Sequence, residues 1–250
     1  MVGAPPAAGS PGTVAGVCGR FAVGREADDL AAEFDAADLT GEPAGPVYNV
    51  APGTDVAAVV SRPPLSPEQP RRRELRLLRW GLVPSWAETA DQGARLINAR
   101  AETAAEKPSF REALAARRCL IPADGWYEWS GRQPYYVTPR DGSILALAGL
   151  YEFWGAGAQR LVTCAIVTTA AVGEDLRAVH HRMPLVLPRA AWSGWLDPAE
   201  PAAVLLAPLA PSVVAGLEVR PVGGRVGNVA NNDPALRAAI PPPPEAEPLF

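Results

Sequence analysis

A cysteine, a glutamate and a pair of histidines stand where this chain could do chemistry. Cys18 lies in GVCGRFAVG, at the end of a leader, MVGAPPAAGSPGTVAG, that contains almost nothing a fold could use. A thiol becomes a nucleophile and a metal ligand once it loses its proton. Glu128 sits between Tyr127 and Trp129 in DGWYEW, and aromatic neighbours that withdraw water from a carboxyl raise its pKa toward the range useful for general acid–base work. Both histidines fall in VHHRMPLVL at 179–187, so any imidazole-dependent step must use this pair, with His180 the leading candidate and Arg182 close behind it. Asn98 and Arg100, two apart in INARAET, share a face if that segment is extended. Trp86 closes WGLVPSW and serves either as a core anchor or as an exposed stacking platform. Each residue also has a purely structural reading. Glu128 could alternate to solvent on an edge strand, a histidine is more often structural than catalytic, and an asparagine most often satisfies a turn.

These residues sit in short segments bounded by turn residues. DVAAVV (55–60), RLLRWGLV (76–83), CLIPADGWYEW (119–129), PYYVTP (134–139), ILALAGLYEFW (144–154) and LVTCAIVTT (161–169) are apolar or alternating and read as strands. READDLAAEF (25–34), SFREALAARR (109–118) and RAAWSGWL (189–196) carry helical spacing. Strands in succession with few helices between them predict an α+β fold. Its sheets should be mostly antiparallel and curled into an open barrel-like core, with flanking helices. The organisation predicted is a disordered leader at 1–17, one domain at 18–240 and a Pro-rich tail, PPPPEAEPLF, at 241–250.

Composition narrows the function. The chain has 250 residues, 48% hydrophobic and 20% charged, enough for one core. No apolar run approaches the roughly 20 residues needed to cross a bilayer, and the leader lacks the basic and apolar regions of a signal peptide. A cytoplasmic, nucleoid-associated protein without membrane contact is expected. Cys18, Cys119 and Cys164 show no ligand spacing, so neither a disulfide scaffold nor a metal site is expected, and no cofactor motif is present. Cys119 and Cys164 lie in apolar strand-like runs and read as core. A net charge of −4 confines any nucleic-acid site to a local basic patch. Lys107 is the only lysine, so a side-chain imine would have one possible donor. Motifs for nucleotide-binding loops, zinc proteases and α/β-hydrolases are missing.

Taken in order, CGRF (18–21), YNVAPG (48–53), WGLVPSW (80–86), INARAET (97–103), RRCLIPADGWYEW (117–129), HHRMPLVL (180–187) and GNVANN (227–232) resemble the SOS-response-associated peptidase family of abasic-site processing proteins. The resemblance implies a domain that binds single-stranded DNA and bonds covalently to an abasic site through a cysteine at the mature N-terminus. On matching positions it implies Cys18 as nucleophile and Asn98 as the holder of the cysteine amine and opened sugar. Glu128 becomes the proton shuttle, and His180 the group that promotes ring-opening. It further implies Arg100, Arg20 and Arg182 as phosphate contacts, Trp86 as a base-stacking platform and Thr168 as a polar neighbour of the site. Replication-fork proteins are implied as further partners, and the protein is expected to act as a monomer.

An N-terminal cysteine carries an amine and a thiol two carbons apart. The amine can form an imine with an aldehyde, and the thiol can then close a thiazolidine ring. Seventeen residues precede Cys18 here. Translation from Val17, through a GTG codon read as methionine, would place Cys18 at the mature N-terminus, and proteolytic cleavage between Val17 and Cys18, self-catalysed or otherwise, would do the same. Two other functions compete: a cysteine peptidase or amidohydrolase using Cys18, His180 and Glu128, and a non-catalytic single-strand binding module indifferent to Cys18.

Overall fold

The computed structural model describes residues 18–241 apart from 42–44, 65, 67–68, 70, 158–159 and 207–209. The expected leader at 1–17 and the tail beyond 241 lie outside the described residues. In chain order the elements are β1 (Arg20–Val23), α1 (Ala27–Glu33), β2 (Ala37–Asp38), β3 (Val47–Val50), β4 (Asp55–Arg62), β5 (Arg72–Trp80), β6 (Asn98–Arg100), α2 (Pro108–Ala116), β7 (Arg118–Ala123) and β8 (Gly125–Ser130). There follow β9 (Gln133–Pro139), β10 (Leu145–Trp154), β11 (Leu161–Ala170), α3 (Glu174–Val179), β12 (Arg182–Pro184), α4 (Trp192–Leu196), α5 (Ala202–Leu205), α6 (Pro211–Val214) and β13 (Leu217–Pro221).

The expected α+β architecture is present, and its barrel is closed. Strands β11, β10, β7, β4 and β5 form a ring, with β6 and β12 added to β11 and β2 to β5. Neighbours around a ring of five strands cannot all be antiparallel, since directions would have to alternate an odd number of times. The one parallel step is β5 to β11, where Thr163 pairs with Arg79 and Cys164 with Trp80. A second sheet, in the order β13-β9-β8-β1-β3, is antiparallel throughout.

Strand alternation sorts the core. Val56, Ala58 and Val60 of β4, Cys119 and Ile121 of β7, and Cys164 and Ile166 of β11 join Phe21, Trp126 and Val137 of the second sheet in one cluster. The intervening Val59, Leu120, Ala165 and Val167 pack beneath α1, α2 and α4. β7 is buried along its whole length because both of its faces are covered.

The run at 119–129 is two strands rather than one. At Asp124 the chain leaves the barrel for the second sheet. The Asp124 carboxylate accepts hydrogen bonds from Gly24 N at 2.7 Å and Arg237 Nη1 at 2.9 Å and pairs with Arg25 Nε at 3.2 Å. These partners come from distant parts of the chain, so the switch is invisible to local pattern. α2 ends at Ala116 because Arg118 is drawn into the barrel wall, its guanidinium donating to the carbonyls of Leu114, Trp195 and Glu200. The segment at 189–196 starts as a 3-10 turn over Arg189–Ala191 and continues as α4. Among the described residues, no helix is long and apolar enough to cross a membrane.

Candidate active site

Cys18 is fully buried where the chain enters β1, and its φ of 46° lies in the left-handed region, a conformation costing about 1–3 kcal/mol outside glycine. The β1–β8 register pairs Arg20 with Tyr127, which brings the chain just before β1, with Cys18, alongside Glu128 and Trp129. The backbone N–H of Cys18 donates to Glu128 Oε2 at 3.1 Å, and the N–H of Trp129 donates to Oε1 at 3.3 Å. Glu128 therefore does not alternate to solvent. Burial pushes its pKa up to about 7, and the two N–H donors hold it from rising further. Burial, with the Glu128 charge second, also pushes the Cys18 thiol well up. The carboxyl is poised for proton transfer near neutrality, whereas the thiol is not activated. What Glu128 touches is the cysteine nitrogen.

A second group forms along β6, β11 and β12. Parallel pairing sets Asn98 beside Ile166 and Arg100 beside Thr168, and antiparallel pairing sets Thr168 beside Pro184. Trp80 fixes the approach to β6 by donating its indole N–H to Ile97 O at 2.9 Å. His180 caps the C-terminus of α3, a helix of six residues and too short for its periodicity to stand out. α3 packs against β8, the strand that carries Glu128. His180 Nδ1 lies 3.1 Å from the amide nitrogen of Arg182 and 3.3 Å from its carbonyl oxygen, so the ring nitrogen accepts from the one or donates to the other according to its tautomer. His181 stacks on His180 with ring centroids 4.3 Å apart. Among the described residues, no hydrogen bond joins His180 to Cys18 or Glu128.

Three arginines were expected at phosphate, and they are placed differently. Arg182 is largely buried, its guanidinium bonded to both carboxylate oxygens of Glu102 at 3.1 and 2.9 Å and to Thr168 O and Oγ1 at 2.8 and 3.2 Å. Arg20 donates to Asn49 Oδ1 at 2.9 Å and to Val226 O at 2.8 Å. Arg100 is exposed. Trp86 is 59% exposed at the tip of a turn that the Ala87 N–H closes onto Pro84 O at 2.9 Å. Trp154 Nε1 and Thr163 Oγ1 anchor that loop at Ala87 O and Val83 N. A Cβ on Gly81 or Gly93 would meet the other's carbonyl oxygen at 2.8 or 2.5 Å, so two glycines let the chain after β5 cross itself closely before reaching Asn98.

Sequence reading missed two residues that hold this geometry. Buried Asn49 donates from Nδ2 to Val226, Asn228 and Asn231 carbonyls at 3.2, 3.0 and 3.0 Å, tying GNVANN to β3. Glu102 holds Arg182. Both stood in the motifs YNVAPG and INARAET, and membership of those motifs was the available signal. Cys119 and Cys164 are buried and unpaired by disulfide. Among the described residues, no three His, Cys, Asp or Glu side chains converge as a metal-binding group would require.

Together these features define a buried cysteine in a left-handed backbone conformation, its nitrogen held by a carboxyl that ionises near neutrality, on a closed barrel with an attached antiparallel sheet. The chain belongs to the family described as SOS response associated peptidase (SRAP), whose model matches residues 17–229. The abasic site processing protein YoqW of Bacillus subtilis strain 168 is 36% identical over 231 residues, covering 88% of this chain and 98% of that protein. The abasic site processing protein HMCES of Gallus gallus is 31% identical over 226 residues, covering 78% and 66%. Among solved structures, a protein of Bacteroides thetaiotaomicron superposes with a TM-score of 0.72 at 25% identity, covering 89% of this chain and 100% of its own.

Proposed function

We propose that this protein processes abasic sites in DNA, and that it does so by bonding covalently to the site in a single strand through the amine and thiol of an N-terminal Cys18. The single observation that carries this reading is the 3.1 Å contact between the Cys18 nitrogen and Glu128, whose carboxyl titrates near 7. Processing of abasic sites also agrees with the names of the relatives YoqW and HMCES.

The chemistry begins at nitrogen. The Cys18 amine adds to the aldehyde carbon of the ring-opened deoxyribose, and the resulting carbinolamine loses its hydroxyl as water, with Glu128 supplying the proton. This leaves an imine. The Cys18 thiol adds to the imine carbon, forming the C–S bond, and its proton passes to the nitrogen, with Glu128 as relay. The sum is aldehyde plus aminothiol giving thiazolidine plus water, with no oxidant or reductant. A thiol held well above its usual pKa suits this order, because the protonated imine is a stronger electrophile than the aldehyde. His180 assists ring-opening by protonating the sugar oxygen. Asn98 orients the amine and opened sugar, with Thr168 beside it; Arg100 meets the flanking phosphate and Trp86 stacks on an exposed base. Arg20 and Arg182 act on this surface through the loops they hold. Capping the aldehyde blocks the β-elimination that would break the strand.

A cysteine peptidase is less well supported, since such enzymes lower the thiol pKa with a hydrogen-bonded histidine. The test mixes the full chain, and a form starting Met-Cys18, with a single-stranded oligonucleotide bearing one abasic site, followed by denaturing electrophoresis and intact mass. The short form is expected to give a shifted band whose mass is protein plus DNA less one water. Cys18→Ala should abolish the band and Lys107→Ala should leave it. Capture surviving in Cys18→Ala would overturn the mechanism.

A further inference from the structure

Well away from Cys18, three consecutive arginines, Arg71 just before β5 and Arg72 and Arg73 at its start, stand in a chain whose net charge is −4. Trp80, whose indole packs edge-on against Phe21, ends the same strand at the reaction-site side. At about 3.3 Å per residue the arginines lie roughly 25 Å from it. They line a cleft of about 790 Å³ between the β4–β5 hairpin, the end of α1 and the start of α4.

The cleft is built and positively charged. Arg71 reaches across to Ser61, with Nε 2.8 Å from Oγ. Arg73 is pinned by Phe34 O at 2.9 Å and Ser193 Oγ at 2.8 Å. Neither forms an ion pair among the described residues. Arg72 stands opposite Arg62 across the strands, and its nearest carboxylate oxygen, on Glu74, is 4.0 Å away. Glu74 is already engaged by Arg62 and Arg76 at 3.1 and 2.8 Å. The lining itself carries three arginines, Arg71, Arg72 and Arg73, against two carboxylates, Asp35 and Asp197. The rest of the lining is small or aliphatic, mainly alanines of α1 and the turn after it, with Leu196, and it contains no aromatic ring.

We infer that this cleft is a docking site for an acidic peptide segment of another protein, with carboxylates on the arginines and small apolar side chains on the alanine surface. Charge complementarity selects the acid, and the alanine lining selects a peptide. A single nucleic-acid strand is a poor fit, because it gains affinity by stacking bases on aromatic side chains and none lines this cleft. The inference does not depend on the chemistry at Cys18.

The test is a fluorescence-anisotropy titration of the full chain with a labelled Asp-Glu-Asp-Leu-Ala-Leu peptide, its Asn-Gln-Asn-Leu-Ala-Leu counterpart and an undamaged oligothymidine. Saturable, salt-sensitive binding of the acidic peptide alone is expected, weakened about tenfold or more in Arg71→Ala/Arg72→Ala, the order for lost charge-assisted hydrogen bonds. Arg72→Glu, a change at a half-exposed side chain, should weaken it as well, and both variants should keep the wild-type melting temperature and abasic-site capture. Equal binding by the variants, equal binding of the neutral peptide, or competitive displacement by the oligothymidine would each overturn the proposal. Abasic-site capture is scored separately, so failure there leaves this result readable.

Discussion

At the residue scale, Glu128 links stability to pH. Its carboxyl ionises near 7 in the fold, against an ordinary value of 4.5. Between those values the folded state keeps a proton that the unfolded chain has released, so stability falls as pH rises. The contribution is fully present below about 4.5 and is lost through about 7, up to about 3 kcal/mol. In the full chain, where the Cys18 nitrogen is an amide, the wild-type melting temperature should drop relative to Glu128→Gln between about pH 5 and pH 8. A difference that stays constant across that range would mean that the carboxyl is solvated. In the form that begins at Cys18 the nitrogen is an amine, the two groups titrate as a pair, and the slope should shrink. The same Gln substitution should slow capture by about 100-fold or more, the usual weight of a positioned general acid.

At the element scale, the site is held by clamps between segments far apart in sequence. Asn49 on β3 satisfies three carbonyls of the 226–231 segment and receives Arg20. Asn49→Ala strips those acceptors of their donor and leaves the half-buried Arg20 guanidinium short of one partner. The expected loss is about 1–3 kcal/mol of stability, read as a lower urea midpoint, with amide exchange accelerated at 226–231. Unchanged exchange there would mean that other contacts hold the segment. The clamp also explains why Arg20, which looks like a phosphate ligand in CGRF, spends its hydrogen bonds inside the protein. In the same way Glu102 and Thr168 claim Arg182. An arginine's type announces that it can bind an anion, but only its neighbours determine whether it is free to do so.

At the scale of the whole molecule, a net charge of −4 gives long-range attraction to DNA little support, so binding must rest on a few local contacts. Trp86 is the exposed ring among the candidate site residues. Trp86→Ala should cost about 1–3 kcal/mol in affinity for an undamaged single strand. The salt dependence of binding should stay as it was, because an indole meets bases and not phosphates. Arg100→Gln should instead flatten that dependence by about 0.7 in log–log slope, the value for one phosphate contact on a single strand. Both are read from anisotropy titrations at several salt concentrations. An unchanged Kd for Trp86→Ala would remove stacking from the proposal.

Local pattern determined the strands at 55–60, 134–139, 144–154 and 161–169, the helix at 25–34 and the α+β class, because alternation and helical spacing are properties of neighbouring residues. The types available for chemistry were equally legible, since cysteine and histidine are scarce in the chain and Glu128 stands apart from the other glutamates by its aromatic neighbours. Tertiary structure decided what local pattern does not encode. Asp124 broke one apolar run into two strands because its partners come from residues 24, 25 and 237. An odd number of strands forced the parallel β5–β11 step that closed the barrel. The contact of Glu128 with the Cys18 nitrogen, 110 residues away, arose from pairing between β1 and β8. Burial at that junction, which no stretch of sequence specifies, moved the carboxyl to neutrality.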